Sequence, residues 1–213
     1  MREQFQEELD GVSATLVQMA GLVKIAMDNA TTALLTADLT LAEKVIADDT
    51  IIDDMQHELD ARTINLIARQ SPVASDLRTL VTSLRMSADL ERMGDMAHHV
   101  AKITRLRHPQ SAIPAELHQI FDSLGKAAEK IAKKTALVIG SRDTDMALEI
   151  ERDDDEIDDL HRQLISALVA PNWKHGVETA VDLTLLGRYY ERYADHAVSV
   201  SRRVYFLVTG KFA

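Results

Sequence analysis

A stretch of this chain returns 105 positions later with its spacing intact. Leu41, Val45, Asp48, Asp49, Ile52, Asp53, Asp54, Met55 and Leu59 fall on Met146, Ile150, Asp153, Asp154, Ile157, Asp158, Asp159, Leu160 and Leu164. A second stretch, Leu90-Glu91-Arg92-Met93-Gly94-Asp95, returns as Tyr190-Glu191-Arg192-Tyr193-Ala194-Asp195 at a shift of 100. Such an internal repeat means one structural unit used twice. The five-residue change in shift belongs in a turn, where length changes are tolerated.

The unit is helical. Phe5, Leu9, Val12, Leu16, Met19, Val23, Ala26, Ala30 and Ala33 recur at alternating steps of three and four, a stripe on one helix face that a strand could not use. It predicts a first helix from about Phe5 to about Leu35. Leu41, Val45, Ile52, Met55, Leu59 and Leu66 continue the pattern after the Ala37-Asp38 junction, with Asp38 as N-cap. Ser71-Pro72 breaks the chain, because proline lacks an amide donor and pushes its predecessor out of helical geometry. Leu77, Leu80, Leu84 and Ala88 open a third helix reaching about Arg107, and Pro109 and Pro114 bound a linker. A fourth helix from Glu116 carries Leu117, Phe121, Leu124, Ala128, Ile131 and Val138 and ends near Gly140-Ser141. Asp143 then matches Asp38, and Pro171-Asn172 separates the fifth helix from the sixth. With 46% hydrophobic but only 4% aromatic residues, the cores must be aliphatic. The expectation is an all-α fold of six long helices forming two pseudo-symmetric three-helix bundles, residues 1–108 and 116–213.

The chain has no cysteine, which excludes disulfides, thiolate metal sites and thiol nucleophiles. A formal net charge of -10 opposes generic affinity for nucleic acid or an anionic bilayer. No run of eighteen or more residues is wholly apolar, and the start has acidic residues where a signal peptide carries positive charge. The expectation is a cytoplasmic protein that does not span a membrane.

Each half carries two acid-x-x-x-acid steps: Asp49 with Asp53 and Glu91 with Asp95, then Asp154 with Asp158 and Glu191 with Asp195. Residues four apart share a helix face, so each step costs roughly 0.2–0.5 kcal/mol where opposite charges would stabilise. An antiparallel hairpin folded at Pro72 would set Asp49 level with Asp95 and Asp53 level with Glu91. The same construction in the second half sets Asp154 level with Asp195 and Asp158 level with Glu191. Four close carboxylates favour a multivalent cation, since otherwise some must be protonated or matched by bases. All-oxygen ligation suits hard ions such as magnesium, manganese, calcium or ferric iron. The competing reading is ordinary: Arg92 and Arg192 stand three residues before Asp95 and Asp195 and give exposed ion pairs worth at most about 1 kcal/mol.

Other chemistries are poorly served. Ferritin-like di-metal carboxylate enzymes use Glu-x-x-His on two helices, and the nearest matches here are Asp95-x-x-His98 and Asp158-x-x-His161, for which partly exposed surface histidines are the simpler reading. His99 is read as an ion-pair partner of Asp95 or an occasional ligand. No phosphate-cradling glycine motif occurs, so a non-enzyme is expected; a metal-free helical adaptor is equally allowed by composition. Trp173, the only tryptophan, is expected to cap the bundle end, with a partner-binding anchor as the alternative. The basic stretch from Arg202-Arg203 to Lys211 reads either as a solvated helix end or as a segment docking on an acidic surface.

The repeated Glu-Arg-x-x-Asp and Asp-x-x-x-Asp steps, with Asp76-Leu77-Arg78 leading to Leu90-Glu91-Arg92-Met93-Gly94-Asp95, resemble the PhoU family, including its actinobacterial members. The resemblance spans about Phe5 to Val208. It implies two pseudo-symmetric three-helix bundles, often homodimeric. It also implies a partnership with the phosphate ABC transporter ATPase and a sensor histidine kinase, repressing the phosphate regulon when phosphate is plentiful. It implies iron, zinc, magnesium or manganese on the acidic steps, here Asp49, Asp53, Glu91, Asp95, Asp154, Asp158, Glu191 and Asp195. The second half departs in having Asp182-Leu183-Thr184 and in flanking its acidic step with Tyr190 and Tyr193, so the first half is expected to bind metal more tightly.

Overall fold

Six helices carry the chain in the computed structural model, which describes residues 2–211 and the side chains of 4–211; the outermost limits of the two expected repeats fall outside that range. They are α1 (Arg2–Thr36), α2 (Leu39–Gln70), α3 (Ala74–Arg107), α4 (His118–Ser141), α5 (Thr144–Leu168) and α6 (Gly176–Thr209). No strand occurs among the described residues. A single 3-10 turn, Ala115–Leu117, precedes α4, so this helix begins slightly later than the stripe predicts.

The repeat extends to its corners. Ala37 and Arg142 both adopt left-handed backbone geometry, φ 53° and 56°, and each is followed by an aspartate N-cap. The Leu41 amide donates to Asp38 at 3.0 Å, and the Asp145 and Met146 amides donate to Asp143 at 2.9 and 3.0 Å. These carboxylates satisfy amides that the helix start leaves unpaired. Asp143→Ala is therefore expected to lower stability by about 1 kcal/mol, measurable by urea denaturation.

In each half three helices pack together, α1 with α2 and α3, and α4 with α5 and α6. The halves then join through α1 against α4 and α3 against α6, so one continuous apolar core runs through both. The stripe residues Val12, Leu16, Met19, Val23 and Ala30 are all buried in it. By length and composition residues 4–36 would also suffice to cross a membrane; here that apolarity faces three packed helices. Tyr190 and Tyr193 cross the seam and are fully buried. The Tyr190 hydroxyl lies 2.7 Å from Thr31 Oγ1, and Tyr193 donates to the Val23 carbonyl at 3.2 Å. The tyrosines beside the second acidic step are thus part of the joint between the halves. Gly125 is needed at the same joint, because a Cβ there would meet the Thr31 methyl at 2.5 Å.

Candidate metal centre

Helices α2 and α3 form the expected antiparallel hairpin, and α5 and α6 form the other. The register differs from a fold at Pro72. His98 reaches Asp49, Gly94 meets Ile52, and Ser87 donates to Asp60. Each partner lies two or three positions further along α3 than predicted. The turn, with left-handed Ser71 and extended Val73, staggers the helices by most of a helical turn. In the second half the same offset brings His161 to Glu191 and Leu164 to Gly187. Consequently Asp49 is met by His98 in place of Asp95, and Asp53 sits at the level of Gly94, between Glu91 and Asp95. Gly94 permits this approach: a Cβ there would lie 3.0 Å from Ile52 and 3.4 Å from Asp49 Oδ1.

Despite the offset, both hairpins gather their acids. Asp53 is raised above its ordinary value by burial, then by Asp49 and Asp95. Burial also raises Glu91, with Asp95, Asp53 and Asp49 adding to it and Arg92 opposing. In the second half burial raises Asp154 to about 6, reinforced by Asp158, Asp195, Asp155 and Glu191. Asp158 is raised by burial and by Glu191 and Asp195. All eight predicted residues thus belong to two groups of mutually repelling carboxylates, one per hairpin. The largest of these shifts falls at Asp154, in the second half.

Several of these acids are also partnered. Arg92 holds Asp95 at 2.6 Å, as the ordinary reading anticipates, whereas Arg192 stands 3.9 Å from Asp195. Arg188 contacts Glu191 at 2.5 Å and His161 Nδ1 lies 3.2 Å from it. His98 and His161 are partly exposed, as expected, at 18% and 19% of their side chains, and each engages an acid on the neighbouring helix, across the hairpin and outside its own sequence pair. His99 packs on the Tyr189 ring at 5.1 Å and makes no ion pair among the described residues; burial holds its pKa below the ordinary value.

The donor set fits a hard cation in chemistry. Asp154 Oδ1 and His98 Nε2 are buried without hydrogen-bond partners, and the raised carboxylates are groups whose charge lacks compensation. As the side chains stand, no three acids or histidines among the described residues converge on a single ligating point. Ligation therefore requires side-chain rotation, in the first half with Asp49 and Asp95 leaving His98 and Arg92.

Sequence reasoning missed one polar cluster. Asp89 is buried, bonded to His196 at 3.1 Å and to Arg203 at 2.7 Å. Burial works to raise its pKa, but these two partners outweigh it and hold it low. Asp89 lies in the α3–α6 interface and has Tyr189 as its repeat counterpart, so the repeat pattern gave no signal for it. The basic segment docks within the chain here, with Arg202 also bonded to Glu151 at 2.6 Å. Asp182 bonds Arg107 at 2.5 Å across the same interface; at a shift of 100 its counterpart is Thr82, so it does not replace Asp76. Trp173 is partly buried against the core and donates to the Gly176 carbonyl at 2.9 Å, closing the α5–α6 end as expected.

The family model described as PhoU domain matches residues 16–104 and 121–204, once in each half. Over 212 residues and the whole of both chains, the sequence is 48% identical to "Phosphate-specific transport system accessory protein PhoU homolog 2" of Mycobacterium tuberculosis. It is also 48% identical to PhoU homolog 1 of Mycobacterium leprae, covering all of this chain and 96% of that one. Among solved structures, PhoU from Pseudomonas aeruginosa superposes with a TM-score of 0.85 at 27% identity, covering 97% of this chain and 100% of that one. The phosphate transport system regulatory protein PhoU from Streptococcus pneumoniae gives 0.87 at 25% identity, with 98% and 99% covered.

Proposed function

Because the chain belongs to the PhoU family, we propose that it is a non-enzymatic regulator of phosphate uptake and phosphate-starvation signalling. In this reading it acts in the cytoplasm, as a homodimer. It links the phosphate ABC transporter ATPase to a sensor histidine kinase and holds the phosphate regulon down when phosphate is plentiful. The observation that carries the reading is the end-to-end similarity, at 48% identity, to mycobacterial proteins named as accessory to phosphate-specific transport. Long helices offer broad faces for partner helices, and a chain of net charge -10 is steered toward basic partner surfaces. Deleting the gene is expected to give constitutive phosphate-regulon expression in high phosphate, restored by the wild-type copy. Unaltered expression in a strain with no second homologue would overturn the proposal.

The two carboxylate groups are proposed to hold iron, magnesium, manganese or zinc through Asp49, Asp53, Glu91 and Asp95, and through Asp154, Asp158, Glu191 and Asp195. A bound cation would supply positive charge that lets the raised carboxylates ionise together. The chain's own contribution is to gather four mutually repelling acids on each hairpin, so occupancy changes the charge of the α2–α3 and α5–α6 surfaces without redesigning the core. Elemental analysis and manganese titration of the native protein should each show loss of one class of sites in Glu91→Ala/Asp95→Ala and of the other in Glu191→Ala/Asp195→Ala. Metal content unchanged in both variants would leave a metal-free adaptor.

A further inference from the structure

Away from the acidic hairpin faces, the seam between α3 and α6 opens into a groove of about 460 Å³ lined by Val81, Thr82, Arg85, Arg202, Arg203 and Phe206. Its floor is carbon. Val81 is 40% exposed, and Leu77 and Val208 extend the apolar strip at 38% and 46%. Its rim is basic. Arg78 lies over the Phe206 ring at 5.5 Å, Arg202 and Arg203 project from α6, and Arg85 makes no ion pair among the described residues.

This concentration of guanidinium groups runs against a net charge of -10, and the repeat does not account for it. At a shift of 100, Val81 and Arg85 become Val181 and Leu185, in a groove whose charged lining residue is Lys174. We propose that the α3–α6 groove is a docking site for a partner protein's amphipathic helix that bears an apolar ridge flanked by Asp and Glu. The apolar ridge would fill the floor, the helix-in-groove mode of recognition, while the arginine rim orients the helix and rejects basic sequences. Because Arg202 and Arg203 already hold Glu151 and Asp89, Arg85 and Arg78 are the rim cations left to meet the helix's acids, and a small anion is served less well because the floor presents hydrocarbon. The site shares no residue with the carboxylate groups, and the inference does not depend on metal or on the phosphate reading.

The test uses the full chain and two synthetic helical peptides with leucines at i, i+3, i+4 and i+7, one flanked by glutamates and the other by lysines. Fluorescence anisotropy should show saturable binding of the glutamate peptide only, weakening with salt and reduced roughly tenfold or more by Arg85→Glu or Val81→Asp. Both positions are exposed, and circular dichroism melting confirms that the variants fold. The comparison of the two peptides on the native chain decides the point even if a variant melts early. Four results would each overturn it: no binding of the glutamate peptide, equal binding of the lysine peptide, displacement by inorganic phosphate at Arg85, or conversion of a dimer to monomer by Val81→Asp, which would make a second copy the occupant.

Discussion

Tyr190→Ala is expected to destabilise the protein by about 3–5 kcal/mol, the range for truncating a large aromatic side chain in a packed core. Tyr190 is fully buried, its ring stands edge-on to Phe121 at 6.2 Å, and its hydroxyl meets Thr31 at 2.7 Å. Those partners belong to α1 and α4, one in each half, so the cavity would open at the seam between the repeats. Tyr190→Phe separates the packing from the hydrogen bond: it keeps the ring and leaves Thr31 Oγ1 without its partner, a cost of about 1–3 kcal/mol. Adding Thr31→Val should recover part of that loss, because removing both members of a buried hydrogen bond is less harmful than removing one. Urea denaturation of the four proteins checks the order. A loss under 1 kcal/mol for Tyr190→Ala would mean that the halves are not held together at this point.

The same residue marks the limit of what the sequence reveals. Helix limits were legible because they have local causes: aspartate caps at Asp38 and Asp143, breakers at Pro72 and Pro171, and an apolar stripe between them. The acid groups were legible as well, since spacing along two helices and one turn position suffices to bring Asp53 near Asp95. The register within the hairpin was not. It depends on the backbone path through Ser71 to Val73, and a displacement of two or three residues replaces Asp95 with His98 as the neighbour of Asp49. Contacts between the halves were still less accessible. The Tyr190–Thr31 and Asp89–Arg203 pairs are separated by 159 and 114 positions, and each joins a residue to a partner that its repeat counterpart lacks. Periodicity identifies which face of a helix is buried, but not which of several apolar helices will cover it.

The metal-free protein is expected to lose stability as pH rises from about 4 to about 6, the opposite of ordinary acid denaturation. Asp154 is raised from 3.8 to about 6 in the folded chain, by burial and then by its acidic neighbours. Between those values the native state holds a proton that the unfolded chain has released, so stability falls with pH and the full penalty applies above about 6. A shift of that size corresponds to about 3 kcal/mol at full strength; Asp154 is only half-buried, and solvent screening reduces this to on the order of 1 kcal/mol. Asp53, Glu91 and Asp158 are raised too and act in the same direction. His99 acts in the other, because burial lowers its folded pKa and stability from it rises with pH below the ordinary histidine range, and so do Asp89 and Asp153. Burial works to raise both, but His196 and Arg203 hold the first low and Lys134 and Lys130 the second, so their contribution disappears only as pH falls through their depressed folded values, below about 4. Chelator-treated protein should therefore be most stable near pH 4–5, and Asp154→Asn should stabilise it at neutral pH while flattening the decline. Saturating manganese should reverse the slope, because ligation requires the ionised carboxylates; an ion at 100 times its Kd adds about 2.7 kcal/mol. Urea denaturation across this pH range, with and without manganese, reads all three effects. If stability instead rises from pH 4 to 6 without metal, and Asp154→Asn lowers it at neutral pH, the carboxylates are already neutralised by the chain's own bases and have no need of a cation.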